Sequence, residues 1–206
     1  MPPALPPVYP ITPDDRGTPA LLEWARALLG AGCVFFQHRR KSLPDGARLA
    51  ELDRLLELAG PFGAAVVVND RPDLCLLAGA HGVHLGQDDL PLESARQLLG
   101  RGAVVGYSTH DAGQALSAAD LPLDYLALGP VFPTQTKRNP SPLVPPAVQE
   151  AVLAAAKVPV AAIGGVTPGR APGLWRRGFA SVAAIAAFAK DPAGAWRAFA
   201  EARAAL

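Results

Sequence analysis

Three cations and two carboxylates carry the clearest chemistry in this sequence. Gln37, Arg39 and Lys41 follow an apolar run at spacing i, i+2, i+4, which an extended strand would point to one side. Arg39 can grip two phosphate oxygens with its planar fork, and Lys41 adds a movable point charge. Lys137 is a third cation, and the chain has only Lys41, Lys137, Lys157 and Lys190 as lysines. Asp70 and Asp89 follow the next two apolar runs. Carboxylates beside cations suit a divalent ion shared with a diphosphate, since Mg2+ takes one or two carboxylates plus phosphate oxygens and water. The alternative is an Asp–Arg ion-pair network.

A second constellation lies later in the chain. Gly164-Gly165 would let a ligand approach the backbone. After Ile185, the segment Ala186-Ala187-Phe188 is expected to begin a short helical turn whose N–H groups can bind phosphate. The histidines carry less. His84 sits inside an apolar run and reads first as a hydrogen-bonded core residue, His38 should point away from Gln37 and Arg39, His81 reads as a surface turn residue, and His110 is open between rim and turn. No histidine spacing suggests zinc, and Gly106-Tyr107-Ser108 lacks the second glycine of a serine-hydrolase elbow.

These residues need a scaffold that gathers them. Short apolar runs at 8–12, 33–39, 64–70, 82–86, 103–108, 125–130, 159–165 and 181–187 alternate with helix-like stretches. The runs are continuously apolar, as parallel strands covered on both faces are. Eight strand–helix units predict a single α/β domain over residues 1–206, a closed (β/α)8 TIM barrel; the rival is an open doubly wound sheet. In a barrel, strand C-terminal ends share one rim, where active sites of this fold sit, and the loops after strands 7 and 8 are its usual phosphate site. The loop 131–145, broken by Pro133, Pro140, Pro142 and Pro145, is a candidate lid.

Bulk properties exclude some classes. Net charge is +1, so nothing calls for nucleic acid or an anionic membrane as partner. Cys33 and Cys75 are far apart and read as buried thiols. No signal peptide or membrane span is evident, and a cytoplasmic setting is expected. The oligomeric state is left open, a homo-oligomer included.

The segments VFFQHRRK, VVVNDR, GVHLGQDD, GYSTH, LGPVFPTQTK and AAIGG, in this order and spacing, make residues 8–188 resemble thiamine phosphate synthases. The resemblance implies an Mg2+-dependent transferase of thiamine biosynthesis. Two phosphorylated small molecules, an aminopyrimidine diphosphate and a thiazole phosphate, would be joined with release of pyrophosphate, through a pyrimidine carbocation. By the same resemblance, Gln37, His38, Arg39, Arg40, Lys41, Asn69, Ser108 and Lys137 hold the pyrimidine diphosphate, with Arg39, Lys41, Ser108 and Lys137 central to catalysis. Asp70 and Asp89 match the metal ligands, and Thr134, Gln135, Thr136, Gly165, Ile185 and Ala186 match the thiazole phosphate site.

Three departures fall in or near the thiazole half. Ala186 stands where the family usually has serine, the stretch after Lys137 lacks a usual glycine, and Gly178-Phe179-Ala180-Ser181 replaces a Gly-Ala-Asp-Gly type of turn. A sister family of thiazole tautomerases shares the fold and the thiazole half but generally lacks the full diphosphate–metal set. A non-catalytic phosphate-binding barrel is the third reading.

Overall fold

The computed structural model describes residues 3–134, 136 and 141–206. Among the described residues eight strands alternate with eight α-helices: β1 (Val8–Pro10), α1 (Thr18–Gly30), β2 (Phe35–His38), α2 (Asp45–Ala59), β3 (Ala65–Asn69), α3 (Pro72–Ala78), β4 (Gly82–Leu85), α4 (Leu92–Leu99), β5 (Val104–Thr109), α5 (Ala112–Ser117), β6 (Tyr125–Leu128), α6 (Pro146–Ala155), β7 (Val160–Ile163), α7 (Ala171–Arg176), β8 (Ser181–Ala184) and α8 (Pro192–Ala204). All pairings are parallel, and β1 meets β8. An isolated parallel bridge between Ile11 and Gln37, with Thr12 N–H donating to Gln37 O at 2.9 Å, joins β1 to β2 and closes the barrel. The expected closed barrel is thus formed rather than an open sheet.

Local chemistry explains why the helices start where they do. Proline occupies the first turn of α1, α3, α6, α7 and α8, where its missing N–H costs nothing and its fixed φ suits the helix. Asp111 and Asp191 cap α5 and α8 by accepting from Gln114 N and Gly194 N, both at 2.8 Å. Several of the 22 prolines thus have a structural use as helix starts.

Strand alternation divides the apolar residues into two cores. Phe36, Val66, Val68, Val83, Val105, Leu126 and Val182 face the helix layer. Tyr9, Ile11, Phe35, Ala65, Val67, Val104, Tyr125 and Ala183 fill the barrel interior. Space inside is tight: a Cβ on Gly106 would run into the ring of Tyr125. Cys33 and Cys75 are buried, and burial pushes both thiols up to about 12, consistent with packing roles.

Candidate active site

The rim at the strand C-terminal ends gathers the first constellation. Lys41 Nζ lies 2.7 Å from Asp70 Oδ2, bridging the ends of β2 and β3. Asp70 has a left-handed backbone (φ 65°), tolerated by Asp better than by most residues, and its N–H donates to His84 O at 2.8 Å. That turn sets its carboxylate beside the β4 end. There Asp89 Oδ2 accepts from Gly86 N at 2.6 Å. Burial, and then the nearby charge of Asp70, push the Asp89 carboxyl above its ordinary value against the hydrogen bond from Gly86. A carboxyl pushed up by a second carboxylate beside it marks a place where a cation is favoured, and Lys41 now supplies one. Among the described residues no group of three or more His, Cys, Asp or Glu gathers. The protein therefore offers two carboxylates, and the remaining ligands of an octahedral ion would be phosphate oxygens and water, the mix Mg2+ takes.

The i, i+2, i+4 expectation holds only in part, because β2 ends at His38. Gln37 points into the barrel, buried, with Nε2 donating to the Tyr9 hydroxyl at 2.8 Å. Arg39 and Lys41 lie beyond the strand, and a turn rather than the pleat brings Lys41 to Asp70. Thr12 clamps the Arg39 backbone: Arg39 N–H donates to Thr12 Oγ1 at 2.7 Å, and that hydroxyl donates to Arg39 O at 3.0 Å. Arg39 Nη1 is 3.8 Å from Asp14 Oδ2, and Asp14 also accepts from Ser42 Oγ at 2.9 Å. The sequence reading did not single out Thr12 and Asp14. The polar end of the first apolar run, Thr12-Pro13-Asp14, was the signal that could have found them.

His38 and Arg40 correct an expectation. Their side chains face the helix layer and converge on Glu51 of α2, His38 Nε2 at 2.9 Å and Arg40 Nε at 2.8 Å from Oε1, while Thr18 donates to Oε2 at 2.6 Å. All three of His38, Arg40 and Glu51 are buried. Any substrate contact from these two positions must come from their backbone, because strand alternation sends the His38 side chain outward and Arg40, just past the strand, is drawn to the same carboxylate. Burial opposes ionisation of Glu51, but hydrogen bonds from His38 and Thr18 and the charge of Arg40 more than offset it and hold the carboxyl below its usual value. Burial keeps His38 below its ordinary value despite Glu51.

The second constellation lines an open cavity. Its walls come from β5 to β8 and include Ser108, Thr134, Thr136, Gly165, Ile185 and Ala186. Ala186–Phe188 forms the expected short turn, a 3-10 helix. Gly164 and Gly165 have φ of 96° and 63°, and a Cβ on Gly165 would meet Phe132 and Pro133. Their first task is thus to let the loop after β6 pack close, and ligand access is a consequence. Arg170 braces the same corner, donating to Gly165 O at 2.6 Å and lying 4.8 Å over the Phe132 ring. Thr134 is half-buried and Thr136 exposed. Gln135 and Lys137 lie outside the described residues, as does part of the 131–145 segment.

Ser108 lines the cavity from β5, the strand next to β4. Its Oγ is 2.8 Å from His84 Nε2, and its carbonyl accepts from Gln87 Nε2 at 2.6 Å. Asn69, half-buried, ends β3 in register with His84. His110 lines the cavity and donates from Nδ1 to Gly129 O at 2.6 Å. His81, exposed, accepts from Val66 N–H through Nδ1. No helix among the described residues is long and apolar enough to cross a membrane.

The chain is similar to known proteins of one family. A thiamine-phosphate synthase of Synechococcus sp. (strain CC9311) is 46% identical over 188 residues, covering 90% of this chain and 53% of that protein. A thiamine-phosphate synthase of Chlorobium luteolum is 44% identical over 181 residues, covering 85% of this chain and 82% of that protein. Against four of the curated relatives the chain spans only 36%, 52%, 53% and 47% of their length. A solved structure of thiamine phosphate pyrophosphorylase from Pyrococcus furiosus superposes with a TM-score of 0.83 at 28% identity, covering 95% of this chain and 94% of that one. The family model for thiamine monophosphate synthase matches residues 8–188. That span runs from the first strand to the 3-10 turn after the eighth, taking in both halves of the mouth, and the chain belongs to the thiamine monophosphate synthase family.

Proposed function

We propose that this protein joins 4-amino-2-methyl-5-hydroxymethylpyrimidine diphosphate to 4-methyl-5-(2-hydroxyethyl)thiazole phosphate, or its carboxylated form, yielding thiamine phosphate and pyrophosphate, with carbon dioxide as a further product from the carboxylated form. The observation that carries this reading is the placement, on one barrel rim, of a carboxylate–cation cluster after β2 to β4 and a cavity walled by small residues at β5 to β8. One half suits a diphosphate and the other an aromatic phosphate ester.

In the reaction, the C–O bond between the pyrimidine methylene and the diphosphate breaks and its electron pair leaves with the diphosphate. The thiazole nitrogen then gives its lone pair to the methylene carbon. That nitrogen carries no proton, so no general base is required. Arg39 and Lys41 would hold the diphosphate oxygens as charge develops on them, which is where preorganised cations lower a barrier most. Mg2+, when bound at Asp70 and Asp89, supplies further neutralisation of the leaving group. Asp70 would then exchange its Lys41 partner, freeing that ammonium for the diphosphate. The Gly165–Ala186 wall would hold the thiazole phosphate on backbone N–H groups and keep its nitrogen facing the reacting carbon. Substrates of this charge suit a cytoplasmic enzyme.

The test is pyrophosphate release with purified substrates. Release should require Mg2+ and both substrates together. Asp70→Asn should lower turnover at least about a hundredfold while leaving the melting temperature nearly unchanged. Absence of release under these conditions would favour a non-catalytic barrel. Metal-free isomerisation of a thiazole carboxylate phosphate would favour a tautomerase. An equal loss of stability in Asp70→Asn would make the residue structural.

A further inference from the structure

A continuous chain of hydrogen bonds crosses the barrel interior beneath the mouth. Gln37 Nε2 is 2.8 Å from the Tyr9 hydroxyl, which is 2.7 Å from the Tyr125 hydroxyl. The Tyr125 hydroxyl is 2.8 Å from His84 Nδ1, and His84 Nε2 is 2.8 Å from Ser108 Oγ. Four strands, β2, β1, β6 and β4, thus feed a fifth, β5, through side chains alone. Tyr9 and Tyr125 are fully buried, and Gln37 and His84 nearly so. Ser108 is half-buried and lines the cavity.

With the Gln37 amide nitrogen facing Tyr9 and every buried hydroxyl proton given an acceptor, proton counting gives this chain a direction. The Gln37 amide nitrogen only donates, so the Tyr9 oxygen accepts from it. The Tyr9 proton then goes to the Tyr125 oxygen, and the Tyr125 proton goes to His84 Nδ1. A ring nitrogen that accepts carries no proton, so the neutral imidazole carries its proton on Nε2. That N–H donates to Ser108 Oγ. The Ser108 hydroxyl has its lone pair engaged from below and its own proton left for the cavity. Gly106 maintains the arrangement, because only glycine leaves room for the Tyr125 ring. The ring of Tyr125 also lies against that of His84, with centroids 5.4 Å apart and planes 24° apart.

From this we infer that Gln37, Tyr9, Tyr125 and His84 form a polarised relay that presents Ser108 as a hydrogen-bond donor. Ser108 therefore reads an acceptor atom on its ligand, a phosphate oxygen or an unprotonated ring nitrogen. His84 is a positioning residue in this scheme. It is not a base, since its Nε2 has no lone pair to take the serine proton. The polarity is opposite to that of a catalytic triad, where a carboxylate accepts from Nδ1–H and leaves Nε2 to accept from serine. The Ser108–His84 pair, despite its 2.8 Å separation, is thus not a nucleophile and its activator. What Ser108 contacts rests on the proposed synthase reaction; the polarity itself does not.

The deciding measurement is the His84 tautomer in the wild-type protein, read from 15N NMR of histidine-labelled material at neutral pH and assigned by loss of its signals in His84→Gln. The relay requires a neutral ring protonated at Nε2. A ring protonated at Nδ1, or at both nitrogens, overturns it. A second readout is a double-mutant cycle on kcat/KM. Ser108→Ala and Tyr125→Phe should each cost about 5- to 10-fold, and the double variant about as much as either single one. Losses that multiply would overturn the coupling. If the wild-type protein makes no thiamine phosphate, the proposed reaction fails, while the tautomer still decides the relay.

Discussion

Replacing Glu51 with alanine isolates the buried cluster under the rim. Glu51 accepts from His38 at 2.9 Å, from Arg40 at 2.8 Å and from Thr18 at 2.6 Å. With the carboxylate gone, the Arg40 guanidinium remains buried, and its nearest remaining carboxylate oxygen is Asp14 Oδ1 at 3.9 Å, beyond hydrogen-bond distance. Breaking a buried ion pair from one side costs about 3–5 kcal/mol, because the surviving charge is left without compensation. For a domain of this size, each kcal/mol lowers the melting temperature by about 2–4 °C, so Glu51→Ala should melt roughly 6–20 °C lower. Calorimetry together with urea unfolding measures this directly. Replacing Glu51, Arg40 and His38 together by Leu, Met and Leu should recover at least half of the loss, since an apolar cluster of similar volume leaves no buried charge. A single-site loss under about 1 kcal/mol would refute the reasoning: the guanidinium would then be solvated or paired some other way. An equally unstable triple variant would show that packing, not charge compensation, governs the site.

The same cluster sets an acid limit. Glu51 titrates below its unfolded value, so its contribution is present above that value and lost as pH falls through the folded one. His38 also titrates below its ordinary value because burial favours the neutral ring, so the unfolded chain takes up a proton first and stability falls as pH drops below about 6.5. Urea midpoints should therefore fall from about pH 6.5 to pH 5 on account of His38 and fall further below about pH 4.5 on account of Glu51; a flat profile in the first range would contradict the His38 assignment, and one in the second range the Glu51 assignment. Gly106→Ala should destabilise by about 1–3 kcal/mol, since its Cβ meets the Tyr125 ring inside a filled barrel; chemical denaturation with unchanged stability would mean the ring moves freely. Ala186→Ser adds one hydroxyl to the cavity wall and should tighten thiazole phosphate about fivefold by calorimetric titration; no change would place the phosphate elsewhere.

The sequence by itself determined the architecture and the location of the chemistry. Uninterrupted apolar runs such as Ala65–Val68 could only be strands covered on both faces, and their regular alternation with helices leaves few alternatives to a parallel barrel. Once a barrel is specified, polar residues at strand ends share a rim, and Lys41, Asp70 and Asp89 were legible as one cluster for that reason. Ser108 and Gly165 were legible through their motifs.

Tertiary structure decided which side chains face which way. Within residues 37–41 the expected alternation holds for Gln37, which turns inward, and His38, which turns away to Glu51, but Lys41 reaches Asp70 through a turn that the alternation does not supply. The reason is that β2 stops at His38, a boundary set by pairing with β3 and not by the residues' own preferences. Thr12, Asp14, Glu51, Tyr9 and Tyr125 gained their roles from partners up to 116 positions away. No local pattern encodes such pairs: a hydrogen bond across a barrel depends on strand order and register, which exist only after the sheet has closed.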